Sequence, residues 1–282
     1  MEHHHEGLAA DLERLLETAT SRRQSLRWLL SGMAALPLAG CGGGGSIGSV
    51  DVSAAASSVG STGSTGASCA IIPEETGGPY PGDGTNSNGS GIANALTLAG
   101  IVRSDICTSV APGSATAQGI PLTIKLQLVN VSASCASVAG AAVYLWHCDR
   151  DGNYSMYASG LTKENYLRGV QEADTNGVVS FTTIFPGCYA GRMPHVHFEV
   201  FPTLAKAASA AGRIKTSQFT FPMATLNEVY ADSSYAASSR NLASISYATD
   251  NVFSDGTALQ MGAVSGNAST GYTVSLVVGV SL

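Results

Sequence analysis

The chain has 282 residues, 44% hydrophobic and only 12% charged, with 33 glycines. That is enough for one sizeable core or two small ones, and a formal net charge of -6 argues against a nucleic-acid partner. Few charges and many Gly, Ala, Ser and Thr residues suit an all-β protein with many turns.

Residues 1–41 read as an export signal. Arg22-Arg23 stands before an apolar run over 26–39, the arrangement of a twin-arginine signal. The run is too short to span a bilayer and reads as a signal-peptide core. It ends Leu38-Ala39-Gly40-Cys41, which resembles a lipoprotein cleavage box with Cys41 as the lipidated residue; an ordinary signal with a fortuitous cysteine is the alternative. Residues 42–68 are Gly, Ser, Ala, Val and Thr with one Ile, Ile47, a single acid, Asp51, and no aromatic. Such a segment cannot bury a core and is expected to be a flexible linker. The expectation is an exported protein, periplasmic or at the cell surface, that meets the membrane only through Cys41.

A folded domain is expected over 69–282. Short apolar runs recur at 122–129, 141–146, 178–183, 195–201, 217–221 and 272–280, set off by Gly, Pro, Asn, Asp or Ser at one or both ends. This pattern predicts an antiparallel β-sandwich or barrel. Asp151-Gly152-Asn153 and Thr175-Asn176-Gly177 are turn signals, and 203–212 and 224–245 can form short helices or loops. Of six cysteines, setting Cys41 aside leaves Cys69, Cys107, Cys135, Cys148 and Cys188. An oxidising compartment permits disulfides, the odd number leaves at least one thiol over, and the pairing is not readable.

The chemistry concentrates in 183–200, T-I-F-P-G-C-Y-A-G-R-M-P-H-V-H-F-E-V. From His195 to Val200 the residues alternate as on a strand, so His195 and His197 share a face about 6.5 Å apart and can converge on one ion. Pro186-Gly187 predicts a turn that leaves Tyr189 on a loop beside the strand, and Pro194 stands at the strand's entry. An isolated H-x-H is more often a polar strand face than a metal site, because imidazole ligates only where further ligands converge. Tyr189 and Arg192 shift that balance, since a phenolate is a hard donor suited to ferric iron.

The string P-G-C-Y-A-G-R-M-P-H-V-H-F resembles the metal-binding core of the intradiol ring-cleavage dioxygenases, the family of the protocatechuate and catechol dioxygenases, and most of all its exported single-domain members. C-A-I-I-P-E-E-T-G-G-P-Y from Cys69, the stretch from Gly140 to Asp149, Gly152-Asn153-Tyr154-Ser155, Leu167 to Gln171 and Ser217 to Pro222 are similar too. The resemblance implies the family's β-sandwich and a non-haem Fe(III) held by Tyr154, Tyr189, His195 and His197. Tyr157 is a nearby alternative to Tyr154. It also implies Arg192 as a charge stabiliser, Gln218 as a positioning residue and Tyr189 as a ligand that leaves the metal and accepts a proton. Substrate and co-substrate would be a catechol-type diol and O2, the product a cis,cis-muconate-type diacid. Only five residues, 190–194, separate Tyr189 from His195, shorter than in the classical enzymes, which implies a more open pocket. The helical dimerisation region of the catechol dioxygenases is not seen, and a homodimer is left open.

Rival readings rest on other residues. His147 and Cys148 with the two histidines would make a zinc site, with Glu199 as the base of a hydrolase. On a strand, however, His147 and Cys148 point to opposite faces. Asp174, Asn176 and Gly177 read as a turn rather than a calcium loop. A catalytically inactive metal- or ligand-binding lipoprotein on the same sandwich is the non-enzymatic alternative.

Overall fold

Among the described residues eleven strands form, where the apolar runs alternate or where a turn returns the chain. The computed structural model describes residues 69–282; Arg22, Arg23, Cys41 and the 42–68 linker lie outside the described residues. The strands are β1 (Asp83–Ser87), β2 (Ile92–Asn94), β3 (Pro121–Asn130), β4 (Ala136–Ser137), β5 (Ala142–Trp146) and β6 (Arg168–Glu172). They continue with β7 (Val178–Ile184), β8 (His195–Phe201), β9 (Lys215–Thr220), β10 (Ala263–Asn267) and β11 (Gly271–Val280).

One sheet runs β10-β11-β3, with β7 and the short β4 both pairing with β3, and the other runs β6-β5-β8-β9. Between them lies the main core, with Ile124, Leu126, Phe181 and Val274 from the first sheet against Val143, Leu145, Val196, Phe198 and Phe219 from the second. This is the expected β-sandwich. A second apolar cluster covers the other face of the β6-β5-β8-β9 sheet. There Tyr144, Trp146, Val170 and Phe201 meet Ala93, Leu96, Ile101, Tyr154 and Met156 from the preceding segment and the loop after β5. That sheet is therefore buried on both faces, and the outer one carries the polar site.

The six predicted runs all become strands. The expectation of a wholly antiparallel sandwich is corrected at one pairing: β11 runs parallel to β3 from Tyr272 opposite Leu122 to Val280 opposite Asn130. A parallel pair needs a long crossover, and here the whole of the second sheet intervenes. Five strands carried no readable run: the short β1, β2 and β4, and also β6 and β10. β10 is an exposed edge strand with little apolar content. β6 holds the fully buried Arg168, whose guanidinium donates to the carbonyls of Tyr80, Pro81 and Ser155; burial of a cation there is a tertiary fact. Short helices do form in the two anticipated windows, at Met223–Val229, which starts one residue before its window, at Ala236–Leu242 and in two 3-10 turns at Leu204–Ala208 and Ala210–Gly212.

Cys69 and Cys135 are joined, tying the start of the domain to the turn after β3, while Cys107, Cys148 and Cys188 are free thiols. Asp174 accepts from the amides of Asn176 and Val178, the turn that was expected there.

Candidate metal centre

Alternation along β8 puts Val196, Phe198 and Val200 in the inter-sheet core and His195, His197 and Glu199 on the opposite face, all buried. His197 lies opposite Trp146 of β5 and Gln218 of β9. The indole stacks on its ring at 4.9 Å, with 2° between the planes.

Tyr189 reaches this face through the loop between β7 and β8. Gly187 donates its N–H to the Asp149 carbonyl at 3.0 Å, and a Cβ there would lie 2.6 Å from the carbonyl oxygens of Asp149 and Arg150. Only glycine allows so close a crossing. The crossing lays Tyr189 against the turn at Gly152, where a Cβ would sit 3.0 Å from that of Tyr189 at a φ of +89°. The same turn, closed by Asp149 accepting from the amides of Asp151 and Asn153, delivers Tyr154. The two tyrosine rings meet edge to face, 5.9 Å between centroids.

Four donor atoms converge. His195 Nε2 lies 3.0 Å from His197 Nε2, 3.3 Å from the Tyr189 hydroxyl and 3.4 Å from the Tyr154 hydroxyl. The other nitrogen of His195, Nδ1, is 2.6 Å from the Met193 carbonyl. A carbonyl only accepts, so Nδ1 carries the proton and Nε2 presents its single lone pair to the cluster. At most one of these three neighbours can donate to that lone pair, whereas one cation can be shared by all four donor atoms.

Burial, together with the neighbouring Arg192 charge, holds His195 well below the ordinary imidazole range; burial, then His195 and Arg192, does the same to His197. Both are thus in the neutral, ligating form. Burial also raises the phenols. Tyr154 is pushed well above its usual value by desolvation and the nearby Tyr189. Tyr189 is pushed up by desolvation to about 12 although Arg192 pulls it back. Ligation through phenolate must therefore displace two protons, which a hard, highly charged cation does best. Two imidazole nitrogens and two phenol oxygens in one buried spot fit ferric iron. Among the described residues no group of three or more His, Cys, Asp or Glu side chains could hold a metal, so the tyrosines are what completes this set.

Tyr157 does not join it: its hydroxyl accepts from the Gly82 amide and donates to Asn86. Nor does His147, whose nitrogens face the Cys148 carbonyl and the Thr183 hydroxyl, each at 2.8 Å. Cys148 packs in the outer cluster, so the pair points to opposite faces and the zinc arrangement is not formed. Glu199 lies 3.6 Å from Arg213.

Arg192 is half-enclosed beside the cluster. Its Nε meets Asp250 Oδ2 at 2.9 Å and its Nη2 donates to Gln218 Oε1 at 2.8 Å. Gln218 in turn donates from Nε2 to the Thr76 carbonyl, which fixes its oxygen toward Arg192. Asp250, Trp146 and the Gly77–Tyr80 segment also border the cluster, and no sequence motif gives them a role. A Cβ on Gly78 would lie 3.3 Å from His197 Cε1, and Tyr80 packs on Tyr154 at 5.0 Å. The last two sit in stretches whose resemblance was noted; Asp250 lies in a polar stretch with no signal beyond its charge.

A family model described as Dioxygenase matches residues 103–211, the span holding Tyr154, Tyr189, Arg192 and both histidines. Among solved structures the chain is similar to an intradiol ring-cleavage dioxygenase from Tetranychus urticae, with 24% identity over 76% of this chain and 95% of that one and a TM-score of 0.56. A second dioxygenase crystal structure shows 25% identity with the same coverage and TM-score. The resemblance read from the sequence holds in the family match and in the fold.

Proposed function

From this likeness to the intradiol ring-cleaving dioxygenases, we propose that the protein is a non-haem Fe(III) dioxygenase that opens the ring of a catechol-type diol. The ring is cut between the two hydroxyl-bearing carbons, and both atoms of O2 enter a cis,cis-muconate-type diacid. The convergence of Tyr154, Tyr189, His195 and His197 on one buried point is the observation that carries the reading.

Those four residues would hold the iron, which when bound supplies a Lewis acid that acidifies the diol hydroxyls and brings diol and O2 together. The rest of the chemistry falls to side chains. Tyr154, buried and wedged against Tyr80, is the fixed phenolate. Tyr189 is more exposed and stands on a loop, so its Oη is the group able to swing away and take a proton from the incoming diol. Arg192, held at Nε and Nη2, has three further N–H donors without a protein acceptor among the described residues; they are free to meet negative charge developing on the substrate. Gln218 keeps that fork in place. Trp146 and the Gly77–Tyr80 segment close over His197 and exclude water from its ring.

Export through Arg22-Arg23 with lipidation at Cys41 belongs to the same proposal and places the reaction outside the cytoplasm. The test is the visible spectrum and iron content of the purified mature protein, with oxygen uptake over a catechol panel. A tyrosinate-to-iron absorption band that changes on anaerobic addition of a catechol, with O2 consumed afterwards, is the expected result. A colourless, iron-loaded protein that consumes no O2 would overturn it.

A further inference from the structure

The segment Asp250–Phe253, far in sequence from every residue of the cluster, grips the cluster's loop in two places. Asp250 is completely buried, and both its oxygens are occupied. Oδ1 accepts from the amides of Val252 and Phe253 at 2.8 and 3.0 Å. Oδ2 accepts from Arg192 Nε at 2.9 Å and from the Met193 amide at 2.7 Å. The ring of Phe253 lies under the Arg192 guanidinium at 5.9 Å and edge-on to His195 at 6.5 Å.

Each arm leads to a different function. The Nε contact fixes the plane of the guanidinium, so that its free N–H groups turn away from Asp250. The amide contact holds the Met193 main chain on its N–H side; the carbonyl of the same residue, one peptide unit on, lies 2.6 Å from His195 Nδ1 and determines which ring nitrogen of His195 carries the proton. A carboxylate that only accepts can hold both donors at once; an amide in its place cannot without turning one N–H against a donor.

We infer that Asp250 is a positioning residue, resting on the function proposed above: it sets the direction of the Arg192 fork and, by anchoring the Met193 backbone that carries the next carbonyl, the tautomer of His195. It touches neither substrate nor metal and acts through these two residues. Outer partners of this kind change metal affinity or activity by about 10–100-fold when removed.

The experiment compares wild type, Asp250→Asn and Asp250→Glu as the mature protein, with Asp250→Ala added to separate loss of charge from loss of the side chain. Histidine 15N spectra of the metal-free protein report the His195 tautomer without any turnover. Iron-loaded samples report kcat and KM for catechol oxygenation and the absorption band of the catechol complex. The expected result for Asp250→Asn is a His195 signal that loses its single Nδ1–H form, a shifted catechol band, and kcat lower by about 10–100-fold with KM changed far less. Asp250→Glu recovers part of both. A folded Asp250→Asn protein with unchanged His195 spectra and an unchanged band overturns the inference, even where its melting temperature falls. Should wild type consume no O2 with any catechol, the proposed function fails while the spectra of the metal-free protein still decide the positioning role.

Discussion

Along β8 the two faces are buried to the same degree and bury opposite things. Val196, Phe198 and Val200 face the other sheet, while His195, His197 and Glu199 face loops. Burying the first set is favourable at about 25 cal/mol per Å². Burying the second costs free energy unless each polar atom finds a partner. The inner face is explained by folding alone. The outer face is not: one lone pair there meets three polar groups, and such an arrangement in a native core points to a task other than stability.

The contrast breaks most sharply by substitution on the outer face. His197→Ala is expected to lower iron content and oxygen uptake by at least ~100-fold, beyond what loss of an outer partner causes, with a fold that survives by circular dichroism. Retention of iron and colour would show that β8 does not present the ligands. On the inner face, Phe198→Ala is expected to cost about 3–5 kcal/mol in denaturant unfolding while the remaining folded protein keeps its absorption band. A band lost in proportion to the mutation, rather than to the unfolded fraction, would mean the two faces are not separable.

Away from both faces, the bridge between Cys69 and Cys135 spans 66 residues. Cys135→Ser is expected to destabilise by on the order of 4 kcal/mol, read by chemical unfolding, with the ligand spectrum unmoved.

The smallest effect concerns pH. Desolvation lowers His147 from 6.5 to about 4 although its hydrogen bond to the Cys148 carbonyl opposes this. The unfolded chain therefore takes up the proton first. The stability tied to a neutral His147 is whole above about pH 6.5 and is lost as pH falls toward 4, a loss of about 2 kcal/mol at pH 5. Unfolding of wild type and His147→Gln between pH 7 and pH 5 measures it: a slope that does not flatten in the variant would remove His147 as its source.

Much of this was legible in the chain. Alternation from His195 to Val200 announced a strand with both imidazoles on one side, since a side-chain period of two needs no tertiary information. Pro186-Gly187 indicated the end of β7 and a loop position for Tyr189, but the turn expected there is not formed: the segment is an irregular crossing that a glycine's missing Cβ allows. The six apolar runs announced the sandwich, whereas β10, exposed at an edge, and β6, with a buried Arg168, had no apolar signature to show. Tyr154 was legible only through the family's motif; nothing local separates it from Tyr157, and the difference is that one hydroxyl reaches His195 while the other is taken by Gly82 and Asn86.

The sequence by itself therefore determined what depends on neighbours along the chain: strand faces, turns, the pairing of ligand types within a few residues, and the likeness to the intradiol dioxygenases. The tertiary structure alone decided what depends on distant segments meeting. That includes the parallel pairing of β11 with β3, the union of Cys69 with Cys135, and the seating of Asp250 behind Arg192, 58 residues away in sequence. Such contacts form because buried donors and acceptors must find partners wherever the packed core brings them, and no local pattern records which partner that is.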